Sequence, residues 1–372
     1  MELPSRGDIS GGGKRMIRVL YVDDEGDARR DLRELLIAAD ISVDTMPPPP
    51  GLDLPGNAQA YDVYLVDYEL TKPEPDGTKA NYRGGALGFS ILETAVDRPV
   101  LLITREGYIK KHELQLLEDL PVFDTAMYKG KIEANPEYGQ RSIRRFADGF
   151  DVLRRQHRDW RGLMTAVGKP DSASELDLRT VAPPISDSQW SVSGMARWLE
   201  RVLFMYPGPL YDSLHAAVML GLDPSALQDT NVASVLEPAR YVGALAPDDG
   251  RWWRATTIRI ATHVALEQGF SGPLRTAFPA AMEARSGATL ARATCVHCNE
   301  AGADAVCYIF RAPVRSDHSF AYTPDQRPAA MEGARVSFKA VVETNDVKEE
   351  SLDPNATGLV ARLRAAAQNA SD

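Results

Sequence analysis

Five side chains that could take part in chemistry follow short apolar runs in the first part of the chain. They are Asp23, Asp24, Asp67, Thr104 and Lys129. In an open parallel sheet, ligands bind beyond the carboxyl ends of the strands, so residues at these positions can meet in one pocket. A carboxylate there could act on a negatively charged group only if nearby positive charge offsets the repulsion.

The apolar runs predict a parallel sheet that is covered by helices on both faces. The strand candidates are Ile17–Val22, Ser42–Thr45, Tyr61–Val66, Pro99–Ile103 and Val122–Tyr128. Leucines at helical spacing predict a helix over Asp27–Ala39, after the first strand. Five strands favour a flavodoxin-like α/β fold. The polar segment Glu69–Arg83 is long for a connection in such a unit and predicts an exposed insertion beside Asp67.

With acids after the first and third strands, a threonine after the fourth and a lysine after the fifth, residues 17–150 resemble the receiver domain of two-component response regulators. The resemblance implies that Asp67 accepts a phosphoryl group from a cognate histidine kinase. It also implies Mg²⁺ as the cofactor, held by Asp23, Asp24, Asp67 and the backbone carbonyl of Glu69. Lys129 and Thr104 would then contact phosphoryl oxygens.

Two residues depart from the pattern of that family. Ala126 stands three residues before Lys129, where the family usually has an aromatic side chain that couples to the threonine. Gly130 follows the lysine, where proline is usual. The conformational change of this domain on phosphorylation is therefore expected to be unusual. Homodimerisation through the receiver is one possible response to phosphorylation.

Length and composition bound the rest of the chain. With 372 residues the chain predicts two or three domains, and its net charge of −10 gives it no general attraction to nucleic acid. Apolar runs are too short for a spanning helix, and residues 1–16 do not resemble a secretory signal. We therefore expect a cytoplasmic protein without a membrane partner.

The middle of the chain predicts helices but no chemistry. A long helix over Arg141–Met164 is expected to extend beyond the receiver. Residues 151–184 are expected to contain the rest of that helix and a linker. The linker, Gly168–Pro184, is rich in Ser, Asp and Pro. Residues 185–286 predict a helical domain of unknown function, with helices over Gln189–Met205, Leu210–Leu220 and Trp253–Glu267. Its many aromatic residues are typical of a core.

Residues 288–368 are richer in β-type alternation and weakly resemble a cold-shock domain, a small OB-fold β-barrel. The strand candidates include Ser319–Tyr322 and Ala334–Val342. The resemblance rests on Thr294–Phe310, Ser319–Tyr322, Glu332–Gly333 with Val336–Phe338, and Ala356–Arg362. It implies that four aromatic residues stack on single-stranded RNA or DNA, namely Tyr308, Phe310, Phe320 and Tyr322. Acidic and basic residues are nearly balanced here, so a barrel kept for protein contact is an equal alternative.

All three cysteines of the chain, Cys295, Cys298 and Cys307, lie in this part. Together with His297 or His318 they could hold Zn²⁺, which prefers four sulfur and nitrogen ligands. The spacing is not a standard one. The alternative is that the cysteines lie on a buried strand face, where cysteine behaves as a small apolar residue.

Two hypotheses follow for the whole chain. The first is a response regulator that relays phosphorylation of Asp67 to a partner or to single-stranded nucleic acid. The second is a receiver-type adaptor or phosphate buffer, anchored by its C-terminal part in a stress or defence complex. In neither case do we expect an enzyme, beyond phosphorylation and dephosphorylation of the receiver itself.

Overall fold

A five-stranded parallel sheet forms the centre of the first part of the chain. The computed structural model describes residues 15–54, 58–73, 79–95, 97–106, 120–168, 190–204, 207–323 and 333–371. Its strands are β1 (Ile17–Val22), β2 (Ile41–Met46), β3 (Val63–Asp67), β4 (Val100–Thr104) and β5 (Thr125–Tyr128). Their order in the sheet is β2-β1-β3-β4-β5, with all neighbours parallel. This is the flavodoxin-like order, so the predicted fold of the first part is confirmed.

Burial explains why these runs become strands. Every residue of β3 and β4 is buried, as expected for central parallel strands with helices on both faces. The helices of this part are α1 (Gly26–Leu36), α2 (Gly84–Thr94), α3 (Lys129–Ala134), α4 (Pro136–Arg154), α5 (Trp160–Ala166) and α6 (Val192–Trp198). Short helical turns at Ala58–Ala60, Leu120–Val122 and Leu199–Leu203 complete it.

The long helix predicted over Arg141–Met164 is in fact two helices. The first ends at Arg154, and the second begins at Trp160. The side chain of Asp159 accepts a hydrogen bond from the backbone N–H of Gly162 at 2.8 Å, which starts a new helix. The N-terminal cap at Asp159 therefore divides the predicted helix into two.

Backbone contacts divide the chain into two units. Among the described residues, 15–166 and 190–200 form the first unit, and 167–168 and 201–371 form the second. Residues 169–184 of the predicted linker lie outside the described residues. The predicted boundaries between a helical domain and a C-terminal domain stay a prediction.

Helices dominate the first half of the second unit. They are α7 (Ser213–Met219), α8 (Thr230–Leu236), α9 (Arg254–Glu267) and α10 (Leu274–Ser286), with short turns at Pro224–Gln228 and Glu237–Ala239. The helix predicted over Leu210–Leu220 begins later, because Leu210–Tyr211 (β6) pairs with Trp252–Trp253 (β7). The side chain of Asp212 then caps α7 by accepting from the N–H of His215.

The C-terminal part differs most from expectation. Its strands are β8 (Ala305–Cys307), β9 (Ala312–Val314), β10 (Ser319–Tyr322) and β11 (Ala334–Ser337), and its helices are α11 (Phe338–Glu343) and α12 (Thr357–Ser371). Short turns lie at Ser316–His318, Glu349–Ser351 and Pro354–Ala356. The sheet order is β10-β11-β8-β9, and β11 runs parallel to β8.

These residues do not form the five-stranded OB-type barrel that the sequence predicted. Ser337 ends the strand predicted over Ala334–Val342, because its side chain accepts from the N–H of Ala340 and starts α11. The segment Ala356–Arg362, on which the resemblance partly rested, lies mostly in α12. Within the described ranges, the helices are too short or too polar to span a bilayer.

Candidate functional site

Strand alignment brings the predicted acids together at the carboxyl edge of the first sheet. Val22 of β1 is aligned with Val66 of β3, so the residues that follow them, Asp23 and Asp67, come side by side. Carboxylate oxygens of Asp23, Asp24 and Asp67 all lie within 4.8 Å of one another. The three residues are at most 6% exposed. This convergence is the arrangement expected from the positions of the acids at strand ends.

The predicted lysine joins the same pocket. Lys129 directly follows β5, and its Nζ lies 2.7 Å from Asp23 Oδ2 and 3.0 Å from Asp67 Oδ2. Its side chain is 5% exposed, so the ammonium group is shielded from water together with its partners. Thr104 is the buried last residue of β4, one residue beyond Ile103, which is aligned with Asp67. Glu69 is half-buried, two residues beyond Asp67.

The pocket holds more negative than positive charge. Burial raises the pKa of Asp67 to about 7, against the opposing effect of Lys129 and with a further rise from Asp23. Burial also raises the pKa of Asp24 to about 6. Burial alone would lower the pKa of Lys129, but Asp67 and Asp23 raise it above its ordinary value. The ammonium group therefore stays charged and offsets only part of the negative charge of the acid cluster.

One oxygen of the cluster has no protein partner. Asp24 Oδ2 accepts from the backbone N–H of Lys72 at 2.5 Å, whereas Asp24 Oδ1 is buried and makes no hydrogen bond with any described residue. A buried carboxylate oxygen left in this way costs free energy unless a ligand or water satisfies it. Three clustered carboxylates with one unsatisfied oxygen fit a hard cation such as Mg²⁺, which prefers oxygen ligands.

Two features of the pocket were not anticipated from the sequence. Lys72, from the predicted insertion, contacts Asp24 through its backbone and Glu25 through its side chain, with Nζ 3.3 Å from Glu25 Oε2. The described part of the insertion therefore lines the acid pocket. Gly84 begins α2 directly against β3, where an added Cβ would lie 2.2 Å from the carbonyl oxygen of Asp67. The pair Gly84–Gly85 after a polar segment was the only sequence signal for this contact.

Comparisons with known proteins found similarity to solved structures over about a third of the chain. No protein-family description matches the chain, and no curated protein matches it either. Among solved structures, a CheY-like receiver domain protein of Methanospirillum hungatei JF-1 is 15% identical, with a TM-score of 0.28, and the match covers 37% of this chain and 97% of that one. The fold assignment rests on the strand order itself.

Two further solved structures are similar over the same share of the chain. The response regulator TrrA of Thermotoga maritima, in complex with Mg²⁺-BeF, is 18% identical, with a TM-score of 0.24 and coverage of 34% of this chain and 99% of that one. A sensor protein of Polaromonas sp. JS666 is 19% identical, with a TM-score of 0.25 and coverage of 36% and 98%.

The aromatic residues predicted to stack on bases lie in or against a core instead. Phe320 and Tyr322 are 7% and 6% exposed. Phe320 packs on Phe338 with ring centroids 4.7 Å apart, and Tyr322 packs on Tyr308 at 5.4 Å. Tyr308 and Phe310 are half-buried against the same cluster. Phe320 and Tyr322 are therefore buried in the described structure, whereas Tyr308 and Phe310 are partly exposed, and stacking of the four rings on nucleic acid stays a prediction.

The three cysteines separate into two environments. Cys307 is buried on β8, and its Sγ lies 3.3 Å from both the hydroxyl and the backbone nitrogen of Ser337. Cys295 and Cys298 instead lie close to His318, with one possible ligand atom of each within 4.8 Å of the others. The prediction of three cysteines with His297 or His318 is thus corrected, because His318 lies with Cys295 and Cys298 whereas Cys307 has a separate environment.

Proposed function

We propose that the first unit is the receiver of a two-component response regulator and that Asp67 accepts a phosphoryl group from a histidine kinase. The observation that carries this proposal is the convergence of Asp67 with two further acids and Lys129 in one buried pocket. Strand-end acids alone are common in α/β domains. An ammonium group within 3.0 Å of the acceptor carboxylate is the specific addition that phosphoryl transfer needs.

The residues of the pocket divide the work of the transfer. An oxygen of Asp67 attacks phosphorus, a P–O bond to the aspartate forms, and the P–N bond to the histidine of the kinase breaks. Lys129 offsets the charge on the phosphoryl oxygens, and the hydroxyl of Thr104 donates to one of them. When bound by Asp23, Asp24, Asp67 and the carbonyl of Glu69, Mg²⁺ supplies further charge neutralisation.

We infer that the output acts through protein contacts and not through nucleic acid. The burial of Phe320 and Tyr322 supports this choice, as does the acidic charge of the chain. A shift of Thr104 toward the phosphoryl group would bias the surface that a partner recognises. The second candidate function, a phosphate buffer or adaptor, has the same acceptor chemistry but no change of partner or assembly.

Incubation with acetyl phosphate and Mg²⁺ tests the acceptor. Intact-mass spectrometry should show one added phosphoryl group on the wild type and none on Asp67→Ala. Asp53→Asn is the matched control, because Asp53 is an exposed acid outside the pocket and should leave the mass gain unchanged. Absence of the gain on the wild type, or its persistence in Asp67→Ala, would overturn the proposal.

Size-exclusion chromatography of the same samples separates the two candidates. A response regulator that switches by assembly should change its elution volume on phosphorylation. A mass gain without a change in size or in partner binding would favour the phosphate buffer.

A further inference from the structure

We propose that Cys295, Cys298 and His318 form a structural zinc site in the second unit. This site is separate from the acid pocket of the first unit and does not depend on phosphorylation of Asp67. Zinc binds thiolate and imidazole ligands in preference to the oxygen ligands of Mg²⁺. The thiol and imidazole groups of these three side chains are therefore ligands for a softer metal ion than the carboxylates of the acid pocket.

The distances fit a single tetrahedral ion. Cys295 Sγ lies 3.8 Å from Nδ1 of His318, and the two sulfurs and one ring nitrogen of His318 lie within 4.8 Å of one another. With Zn–S bonds of about 2.3 Å and Zn–N bonds of about 2.0 Å, tetrahedral angles require S···N separations of about 3.6 Å. The separation between Cys295 and His318 is within a few tenths of an ångström of this value, and Cys298 Sγ would have to approach by at most about 1 Å.

A turn of the backbone presents the two thiols together. The N–H of Asn299 donates to the carbonyl of Cys295 at 2.8 Å, and the N–H of Cys295 donates to the carbonyl of Glu300 at 2.8 Å. Asn299 adopts a φ of 58°, in the left-handed region that asparagine tolerates better than most residues. The turn thus holds Cys295 and Cys298 on one side of a short hairpin.

The surroundings of Cys295 favour a negatively charged sulfur. The backbone N–H of Arg315 donates to its Sγ at 3.4 Å, from the segment that also carries His318. Thiolate is the form of cysteine that binds metal, and N–H groups directed at sulfur stabilise it. Binding would release the thiol protons to solvent, with no change of oxidation state.

The fourth position of the tetrahedron has a nearby oxygen ligand. Glu300 Oε2 lies 3.9 Å from Cys298 Sγ and also pairs with Arg315 at 3.1 Å. A structural zinc ion usually has four ligands, so this carboxylate or a water completes the set. Cys298 and His318 are half-buried, which leaves the ion a path from solvent.

The alternative role, cysteine as an apolar core residue, describes Cys307 better than the other two. Cys307 is buried and has Ser337 as its partner, whereas Cys298 is partly exposed. Zinc would tie the turn that carries both thiols to the turn Ser316–His318, which precedes β10. The ion would then hold together a sheet whose strands have only three or four residues each.

Metal analysis of the full chain, purified reduced and without chelators, tests the site. We expect one zinc ion per chain in the wild type and in Cys307→Ala. In Cys298→Ser and in His318→Gln the zinc content should fall close to zero. The variant Asp67→Ala should keep its zinc, so failure of the phosphorylation proposal and failure of this one are distinguishable.

Titration of metal-free wild type with Co²⁺ covers the case in which a variant fails to fold. Cobalt in this site should give thiolate charge-transfer absorption in the near ultraviolet, which Zn²⁺ should remove by competition. Zinc contents in Cys298→Ser and His318→Gln equal to the wild type would overturn the proposal. So would a reduced wild type that binds neither Zn²⁺ nor Co²⁺.

Discussion

The acid pocket of the first unit and the thiol cluster of the second are assembled in opposite ways. Asp23 and Lys129 are 106 residues apart and meet because the parallel sheet brings strand ends to one edge. Cys295 and His318 are 23 residues apart and meet through two adjoining turns. A site formed by sheet topology is therefore predictable from strand order, whereas one formed by turns depends on local geometry.

Charge compensation differs between the two sites as well. The acid pocket contains a buried ammonium group, so part of its compensation is built into the protein. At the thiol cluster, the described contacts of the Cys295 sulfur are a backbone N–H group and a histidine, and the Arg315 guanidinium is partly exposed and paired with Glu300. We therefore expect the first site to keep its shape without metal and the second to depend on its ion.

Removing the ammonium group should give the largest effect on the first unit. In Lys129→Met, the carboxylates of Asp23 and Asp67 stay buried without their cation. Loss of one partner from a buried ion pair costs about 3–5 kcal/mol of unfolding free energy. Hydrogen exchange measured on peptides of β1 and β3 at neutral pH, without metal, reports this loss for the first unit alone.

The neighbouring lysine provides the matched control for that substitution. Lys131 is exposed and lies 5.0 Å above the ring of Tyr128. Lys131→Met should lower the stability by at most about 1 kcal/mol, the worth of an exposed cation–π contact. Equal effects of the two variants would show that Lys129 contributes packing alone and would remove the proposed difference in charge compensation.

Substitution of two glycines tests how closely the backbone packs at Asp67. In Gly84→Ala the new Cβ would lie 2.2 Å from the carbonyl oxygen of Asp67 and 3.0 Å from Cα of Tyr68. Neither backbone atom can rotate away, so we expect a loss of about 1–3 kcal/mol and slower phosphorylation by acetyl phosphate. Equilibrium exchange of β3 peptides and the rate of mass gain measure the two effects.

Gly130 is the corresponding control beside Lys129. Apart from its chain neighbours and the backbone of its own helix, no atom of the described residues lies within 4 Å of a Cβ added there, and the residue is in α3. Gly130→Ala should therefore raise the stability slightly, by about 0.5–1 kcal/mol, because alanine favours a helix. A Gly84→Ala variant as stable and as reactive as Gly130→Ala would contradict close packing of α2 on the acceptor strand.

The first unit could be predicted well because its signals are regular. Runs of four to seven residues predicted the strands, and the right-handed rule for parallel connections leaves few strand orders. The structure shifts the fifth strand, predicted over Val122–Tyr128, to begin at Thr125. The contacts made by Lys72 and Gly84 were missed because they involve backbone atoms, which residue types do not report.

The second unit was harder to predict because its strands are very short. Alternation over Ala334–Val342 is compatible with a single strand, but the Ser337 cap converts its second half into α11. Strands of two to four residues carry too few positions for the period of alternation to be decisive. The spacing of the cysteines likewise gave no reason to choose His318 over Cys307.

The acid pocket should also show a dependence on pH, opposite in direction to that of the thiol cluster. The pKa of Asp67, about 7, and that of Asp24, about 6, both exceed the ordinary value of 3.8. Between about pH 4 and pH 7 the folded state therefore binds more protons than the unfolded state. Its stability falls as pH rises, by at most about 1.4 kcal/mol per pH unit for each group.

Hydrogen exchange of β1 and β3 peptides across this range, without metal, measures that slope. Asp67→Asn should flatten the profile, because an amide does not titrate, and Mg²⁺ should offset the loss at higher pH by binding the ionised carboxylates. Zinc binding at the thiol cluster should strengthen as pH rises, since its ligands must lose protons. If the first unit became more stable with rising pH in the absence of metal, the acids would be better compensated than the pocket geometry indicates, and the contrast between the two sites would disappear.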